Sequence, residues 1–435
     1  MTAPETALIR STPPGATEPA RKRYVIVGAG AAGVTAAETL RRSDPAADIV
    51  VLNGEAEAPY ARMAIPYFLT GRIGADGTHL RRTPGHFERL AIRIVDGRAA
   101  ALDAGGRRLR LADGGALDYD QLLIATGSRP TREAIPGIDL PGVHHCWTLD
   151  DARGLLVSIR PGTRVVQMGA GFVGCIIMEG LVKRGAALTV LVRSGLMVSR
   201  MIHPTAGNMI RRWCEAKGVR IMPRTQSARL DRDGAGLAVT LTTGERLPAD
   251  LYLSAVGVKP ELDWLDGSGI AIGSGIVVDG RMQTSLPGVF AAGDVAESVD
   301  CVTGKRQVNA IQPNAVEQGR IAGLNMAGFA ATSAGSLAFN VLDTLGLVSS
   351  SFGAWNGVPG GDSAELIDEA HWRYLRLEFD GDRLVGANAV GLTDHIGALR
   401  GLIERGAPLG RWKAVLQANP TQIMPAYLAT VQAAA

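Results

Sequence analysis

Tyr24-Val25-Ile26-Val27-Gly28-Ala29-Gly30-Ala31-Ala32-Gly33-Val34-Thr35-Ala36-Ala37-Glu38-Thr39-Leu40 reads as strand, turn and helix. A short β-branched run stops at Gly28, and helical composition and spacing follow from Val34. Gly28 permits the tight turn, Gly30 lets the backbone approach a pyrophosphate, and Gly33 lets helix and strand pack closely. The helix N-terminus adds N–H donors and the positive end of a dipole. A second strand, Asp48-Ile49-Val50-Val51-Leu52, follows at the right distance and leads into Asn53, Gly54 and Glu55. A carboxylate at Glu55 can accept hydrogen bonds from the hydroxyls of an adenosine ribose. The stretch therefore predicts a dinucleotide-binding unit.

The pattern recurs further along. Arg164-Val165-Val166-Gln167-Met168 runs into Gly169-Ala170-Gly171-Phe172-Val173-Gly174, then a helix through Lys183, then the strand Ala187-Leu188-Thr189-Val190-Leu191-Val192. Two such units in one chain predict two dinucleotides, with electron transfer between them as the economical function.

The rest of the composition fits. At 435 residues the chain exceeds one hydrophobic core and predicts two to three domains. Its 55 glycines beside 46% hydrophobic residues describe a compact α/β enzyme rich in tight turns, not a disordered or fibrous chain. A net charge of +3 and the single basic triplet Arg21-Lys22-Arg23 give no footprint for nucleic acid. Cys146, Cys175, Cys214 and Cys301 have no CxxC spacing, which suits a reducing compartment and predicts no metal site. Residues 1–21 read as a flexible tail without the apolar run of a signal peptide. No stretch is long and apolar enough to span a membrane, so a cytoplasmic location is expected.

Several further motifs carry a resemblance. Pro59-Tyr60-Ala61-Arg62 is similar to a PYxR segment lying along FAD, and Tyr119-Asp120-Gln121-Leu122-Leu123-Ile124-Ala125-Thr126-Gly127-Ser128-Arg129-Pro130 to a YDxLxIATGSxP crossover. Ser254-Ala255-Val256-Gly257-Val258-Lys259-Pro260 resembles the crossover back, and Gly288-Val289-Phe290-Ala291-Ala292-Gly293-Asp294 a second FAD fingerprint. In order and spacing these resemble the two-dinucleotide-binding-domain flavoproteins of the pyridine nucleotide-dependent oxidoreductase family. That family includes NADH oxidases, rubredoxin and ferredoxin reductases, and the flavoprotein part of nitrite reductases.

The resemblance implies an α/β fold of two Rossmann-like domains, one inserted in the other, plus a C-terminal α+β dimerisation-type domain. It implies an FAD domain over 22–146 and 279–330, a NAD(P)H domain over 147–278 and a third domain over 331–435. There Tyr374–Phe379 and Arg383–Asn388 alternate as two strands about an Asp380-Gly381-Asp382 turn. FAD would meet Gly28, Ala29, Gly30, Ala32, Gly33, Glu55, Arg62, Ala99, Ala125, Thr126, Gly127, Gly293, Asp294 and Ala315. The nicotinamide dinucleotide would meet Gly169, Gly171, Phe172, Val173, Gly174, Arg193 and Gly257. Asp294 would accept hydrogen bonds from the ribityl chain, and the helix begun by Asn314 would point its positive end at the flavin.

Three departures from the family pattern bear on chemistry. Where thiol-dependent members carry a cysteine, this chain reads Met63-Ala64-Ile65-Pro66-Tyr67, and its C-terminal Asn419-Pro420-Thr421-Gln422-Ile423-Met424 lacks a His-Glu dyad. A thioether forms no thiolate, which argues against a dithiol or peroxide reductase. A Lys and a Glu that often flank the flavin are replaced by Tyr67 and Ile176, predicting a more apolar site. Glu179, three residues on, reads as a solvent-facing helical acid. Finally, the strand that ends in an acid in NADH-preferring members ends here in Val192-Arg193. Arg193 could pair with a 2′-phosphate, which favours NADPH over NADH.

The expected function is hydride transfer from NAD(P)H to FAD, and onward to an acceptor that could be an iron–sulfur or rubredoxin-like protein, a quinone, dioxygen or a partner enzyme. Tyr67 is the candidate flavin-proximal side chain, with packing against the adjoining helix as its alternative role. A non-catalytic FAD-binding redox sensor with a degenerate nicotinamide site is the competing reading.

Overall fold

The computed structural model of the protein describes residues 21–433; the remainder of the expected tail, 1–20, lies outside the described residues. Three five-stranded sheets organise the chain. The first is parallel, in the order Val289–Ala291, Gln121–Ile124, Arg23–Val27, Asp48–Asn53, Ile92–Asp96. Its strands are Val- and Ile-rich because both faces are covered: Tyr24, Val25 and Ile26 are fully buried, as are Ile49, Val50 and Val51. The chain order reverses between Arg23–Val27 and Gln121–Ile124, which opens a crevice beyond the carboxyl ends of those strands.

The second sheet repeats the plan, in the order Arg220–Pro223, Ala187–Val192, Arg164–Met168, Leu251–Ser254, Val143–His144. Its reversal falls between Arg164–Met168 and Leu251–Ser254. The strand Val143–His144, upstream of the expected boundary at 146, pairs with Tyr252 and Leu253 of this second sheet. The first sheet is completed only by Val289–Ala291, after the second has been built, so one Rossmann-like unit is nested in the other, as the resemblance implied. The outgoing and returning connections, Ser128–Pro130 and Val258–Pro260, pair as an antiparallel ribbon.

The C-terminal sheet is antiparallel, in the order Phe339–Thr344, Leu347–Gly353, Arg383–Val390, Arg373–Asp380, Asp362–Asp368, and is followed by three helices. Asp380 pairs with Arg383 across Gly381 and Asp382, the expected hairpin turn. The core of the second sheet takes in Tyr60, Ile65 and Leu69 from the first unit and Leu342, Leu347, Tyr374 and Val390 from the C-terminal sheet. It is the place where all three parts meet.

Candidate functional site

Three glycines of the first turn do three different things. Gly28 has φ +113°, and a methyl there would run into the Ala125 carbonyl, across the switch point of the sheet. A methyl at Gly33 would run into the carbonyl of Gly28, whereas one at Gly30 would meet nothing. Gly30 caps the helix Ala31–Ser43 without any side-chain hydrogen bond, so no capping side chain competes for the first N–H groups of that helix, the donors that can receive an anion. Ala29 and Ala32 are buried beside it.

Gly293 and Asp294 come to the same turn from the far strand. The Cβ position at Gly293 lies 3.3 Å from the Ala32 methyl and 3.5 Å from that of Ala315, and its N–H donates to Gln318 Oε1 at 2.8 Å. The helix Gln312–Met326 lies tight on the first glycine helix, where a methyl added at Gly323 would lie 3.0 Å from the Ala36 carbonyl oxygen. Asp294 accepts from Ser128 Oγ at 2.9 Å, and burial pushes its carboxyl above the usual carboxylate range.

Linked to Asp294 through Ser128 and Trp147, Glu55, Tyr60 and Arg62 form one polar unit. Arg62 Nη2 donates to Glu55 Oε1 at 2.5 Å, and its Nη1 donates to Tyr60 Oη at 2.9 Å and to the Trp147 carbonyl at 2.8 Å. Tyr60 Oη donates to Glu55 Oε2 at 2.7 Å. Each Glu55 oxygen keeps a lone-pair direction for a further donor. Asn53 shapes this loop by donating to the carbonyls of Glu55 and Glu57. Ala99 opens a half-buried strand, and Gly97, two residues before it, is bonded through its N–H to the Asn53 carbonyl. Thr126 donates to the Glu261 carbonyl and Gly127, at φ +70°, accepts from the Glu261 N–H, which holds the crossover closed. Trp147 and Gln318 were not expected from the sequence, and Ser128, quoted only as part of the crossover motif, was given no role there. Tertiary packing alone brings the three to the site.

The second turn copies the first. Gly169, at φ +105°, abuts the Ala255 carbonyl, a methyl at Gly174 would lie 2.6 Å from the Gly169 carbonyl oxygen, and Gly171 is open. Gln167 supports the turn from within, donating to the carbonyls of Gly169 and Gly174 at 2.8 and 3.2 Å. Phe172 and Val173 begin the second glycine helix, Phe172–Lys183, half-buried. Gly257, at φ +114°, has open space around it, and Arg193 stands exposed just past its strand.

Between the turns, the short helix Ile65–Leu69 packs on the second glycine helix, a methyl at Gly180 lying 2.8 Å from the Leu69 Cβ. Met63 and Tyr67, four residues apart, are both exposed, at 47% and 49%. Ile176 is half-buried. Glu179 does not face solvent as expected: its side chain is 14% exposed and pairs with Arg72 at 3.0 Å and Lys183 at 2.6 Å. The reason is that the chain after Ile65–Leu69 bends back over the helix, bringing a cation the linear sequence could not place. Arg72 also lies over the Tyr67 ring, 6.0 Å from its centre.

No thiol here is primed for chemistry. Burial pushes the thiols of Cys146, Cys175 and Cys214 up, and that of Cys301 to about 11. Among the described residues no cluster of His, Cys, Asp or Glu could hold a metal, and no helix is long and apolar enough to cross a membrane. The donor set instead fits FAD: an open glycine at a helix N-terminus for the pyrophosphate, a carboxylate at the ribose end, and a partly enclosed carboxylate with one protein partner for hydroxyl donors.

Comparison with known proteins agrees. The family model for pyridine nucleotide-disulphide oxidoreductases matches residues 22–319. The chain is 35% identical over 404 residues to the NADH-dependent phenylglyoxylate dehydrogenase subunit epsilon of Aromatoleum evansii, covering 92% of this chain and 96% of that one. It is 28% identical to rubredoxin-NAD(+) reductase of Pseudomonas putida, covering 87% and 98%. The crystal structure of a ferredoxin reductase from Rhodopseudomonas palustris superposes with a TM-score of 0.79 at 26% identity, over 86% of this chain and 93% of that one.

Proposed function

The chain belongs to the pyridine nucleotide-disulphide oxidoreductase family, and from that premise we propose that it draws electrons from NAD(P)H at the second glycine turn and delivers them to a separate redox protein. It is an FAD-dependent NAD(P)H oxidoreductase that works without thiol chemistry. Bound FAD supplies the hydride acceptor and the step-down to single electrons. The carrying observation is the pair of open glycine turns, at the switch points of two nested sheets, joined by the Leu69–Gly180 seam.

The side chains hold and orient. Gly30 and the bare helix N-terminus receive the pyrophosphate of FAD, Glu55 and Arg62 its adenosine end, and Asp294 its ribityl hydroxyls. Ala99, Ala125, Thr126, Gly127, Gly293 and Ala315 shape the walls. Gly171 and the N–H groups of Phe172 and Val173 receive the nicotinamide dinucleotide. Met63 and Tyr67 present apolar surface on which a planar ring can lie, and Arg72 keeps Tyr67 in place. The FAD unit takes residues 22–146 and 279–330 with the strand at 143–144 lent to its neighbour, and the NAD(P)H unit 147–278.

For the acceptor, the relatives named as rubredoxin and ferredoxin reductases favour a small electron-transfer protein. The relative named as a subunit of a larger dehydrogenase favours an acceptor held in the same assembly. The C-terminal sheet is the face we assign to a homodimer, and the cytoplasm the compartment. No observation favours the sensor reading. Anaerobic mixing with NADPH or NADH tests the core of this. Bleaching of the flavin band within seconds is expected, followed by recovery when a ferredoxin or rubredoxin is added. Absence of bleaching with both nucleotides sinks it.

A further inference from the structure

We infer that Trp147 is a positioning residue of the FAD site, lying in the second unit and holding Ser128 and Arg62 of the first in place, an inference that rests on the reading of Asp294 and Arg62 as FAD ligands. Trp147 stands between the strand Val143–His144, which pairs in the second sheet, and the helix Leu149–Ser158. Its side chain and its carbonyl both turn back across the boundary. The indole Nε1 donates to the Ser128 carbonyl at 2.7 Å, and the Trp147 carbonyl accepts from Arg62 Nη1 at 2.8 Å. The Arg62 guanidinium also lies over the indole, 5.3 Å from the ring centre.

Each contact has a local reason. In the ribbon of Ser128–Pro130 with Val258–Pro260 the Gly127 carbonyl accepts from the Glu261 N–H, and the alternation of an antiparallel ladder then turns the Ser128 carbonyl away from the partner strand. An outward carbonyl on a residue only 7% exposed needs a donor, and the indole N–H is that donor. With its backbone held, Ser128 presents Oγ to Asp294 at 2.9 Å. A guanidinium over an indole face, with a carbonyl at its edge, is held by cation–π attraction and a charge-assisted hydrogen bond together. Burial raises the Asp294 carboxyl, and the groups that oppose burial there are the Ser128 hydroxyl and the Arg62 charge, the two that Trp147 holds.

The far side of Trp147 is fixed as well. Its N–H and that of Thr148 both donate to Asp151 Oδ2, at 3.0 and 2.8 Å, in the capping box that opens the helix Leu149–Ser158. The Leu149 N–H donates to Tyr60 Oη at 3.2 Å, and Arg153, one turn on, pairs with Glu57 at 2.5 Å. The start of the second unit's opening helix is thereby seated on the segment that runs from Glu55 to Arg62. FAD drawn to Asp294 and Arg62 meets groups that Trp147 has set, so this helix start contributes to cofactor affinity through them.

Release of FAD from the holoprotein, followed by the rise in free-flavin fluorescence, tests it without turnover. Trp147→Phe keeps the main-chain carbonyl and a ring beneath Arg62 and removes only the indole N–H. It is expected to speed release about fivefold, and Ser128→Ala to do the same. Combined, the two substitutions should release FAD within about twofold of Ser128→Ala alone, because both act through one contact to Asp294. Trp147→Leu also removes the ring face and should release FAD faster than Trp147→Phe by a further factor of about three. Parental release by Trp147→Phe or Ser128→Ala overturns the positioning role, and so does a double variant whose loss is the product of the single losses, the pattern of general destabilisation. Equal release by Trp147→Leu and Trp147→Phe overturns the hold on Arg62. A parent chain that retains no FAD removes the reading of the site itself, whereas variants that release it at the parental rate leave that reading standing and remove Trp147 alone.

Discussion

Single atoms decide which glycine does what. A methyl at Gly33 collides with a carbonyl inside the turn, and one at Gly30 meets only the space a pyrophosphate would take. Gly33→Ala should therefore fold poorly, whereas Gly30→Ala should yield a well-folded apoprotein with most of its FAD missing. Flavin absorbance per chain and thermal melting separate the two, and FAD-replete Gly30→Ala protein would refute the assignment. Asp294 makes a second residue-scale case. Its carboxyl is raised by burial, so the folded apoprotein holds a proton that the unfolded chain has released above about pH 3.9. This contribution to stability fades as pH rises through the folded value. Asp294→Asn should melt no lower than the parent apoprotein at pH 7, yet bind FAD more weakly by roughly tenfold or more, because hydroxyl donors lose a charged acceptor. Equal FAD affinity would contradict the role given to it.

Among elements, the seam between Ile65–Leu69 and Phe172–Lys183 joins the two cofactor units. Leu69 sits against Gly180, and the Arg72–Glu179–Lys183 cluster closes the solvent side. Arg72 is half exposed, so the pair itself contributes little to stability, and its value lies in fixing where Tyr67 points. Glu179→Gln should leave FAD content unchanged and slow flavin reduction by NAD(P)H severalfold in stopped-flow mixing. Gly180→Ala should act more strongly, because an inserted methyl must push the helices apart at a cost of about 1–3 kcal/mol. If both variants reduce at the parental rate, the seam does not position the two cofactors. Near Tyr67 and Ile176, where a more apolar site was expected, Arg72 pairs with Glu179 at 3.0 Å.

For the molecule as a whole, the C-terminal sheet docks on the second unit through a cluster that contains a titratable group. His203 Nδ1 lies 3.0 Å from Tyr374 Oη, whose hydroxyl donates to Glu365 Oε1 at 2.6 Å, and the His203 backbone N–H donates to Asn388 Oδ1 at 2.5 Å. Glu365, Arg376 and Glu378 face the same place. Burial, and then the Arg376 charge, hold the His203 imidazole below its usual value. Below about pH 6.5 the unfolded chain takes up a proton that the folded one resists, so stability is lost as pH falls through that range. His203→Gln should show a smaller drop in Tm between pH 7.5 and 5.5 than the parent protein. An equal drop would assign the acid sensitivity to the paired carboxylates instead. Truncation after residue 330 should leave Leu342, Leu347, Tyr374 and Val390 missing from a shared core, and is expected to give aggregated or much less stable protein by scattering and melting.

The nested parallel sheets and the two turns were legible in the sequence, because glycines at fixed offsets after a β-branched run are required by local geometry that no distant residue can replace. The same locality made Asp294 and Met63 readable, one for an acid after a buried strand and the other for a missing thiol. Tertiary structure alone decided the partners: that Glu179 is covered by Arg72, that Glu55 is gripped by Arg62 and Tyr60, and that Ser128, Trp147 and Gln318 belong to the site. These depend on strand register and on how loops return across the sheets, and such contacts between residues far apart in sequence leave no periodic mark in either segment.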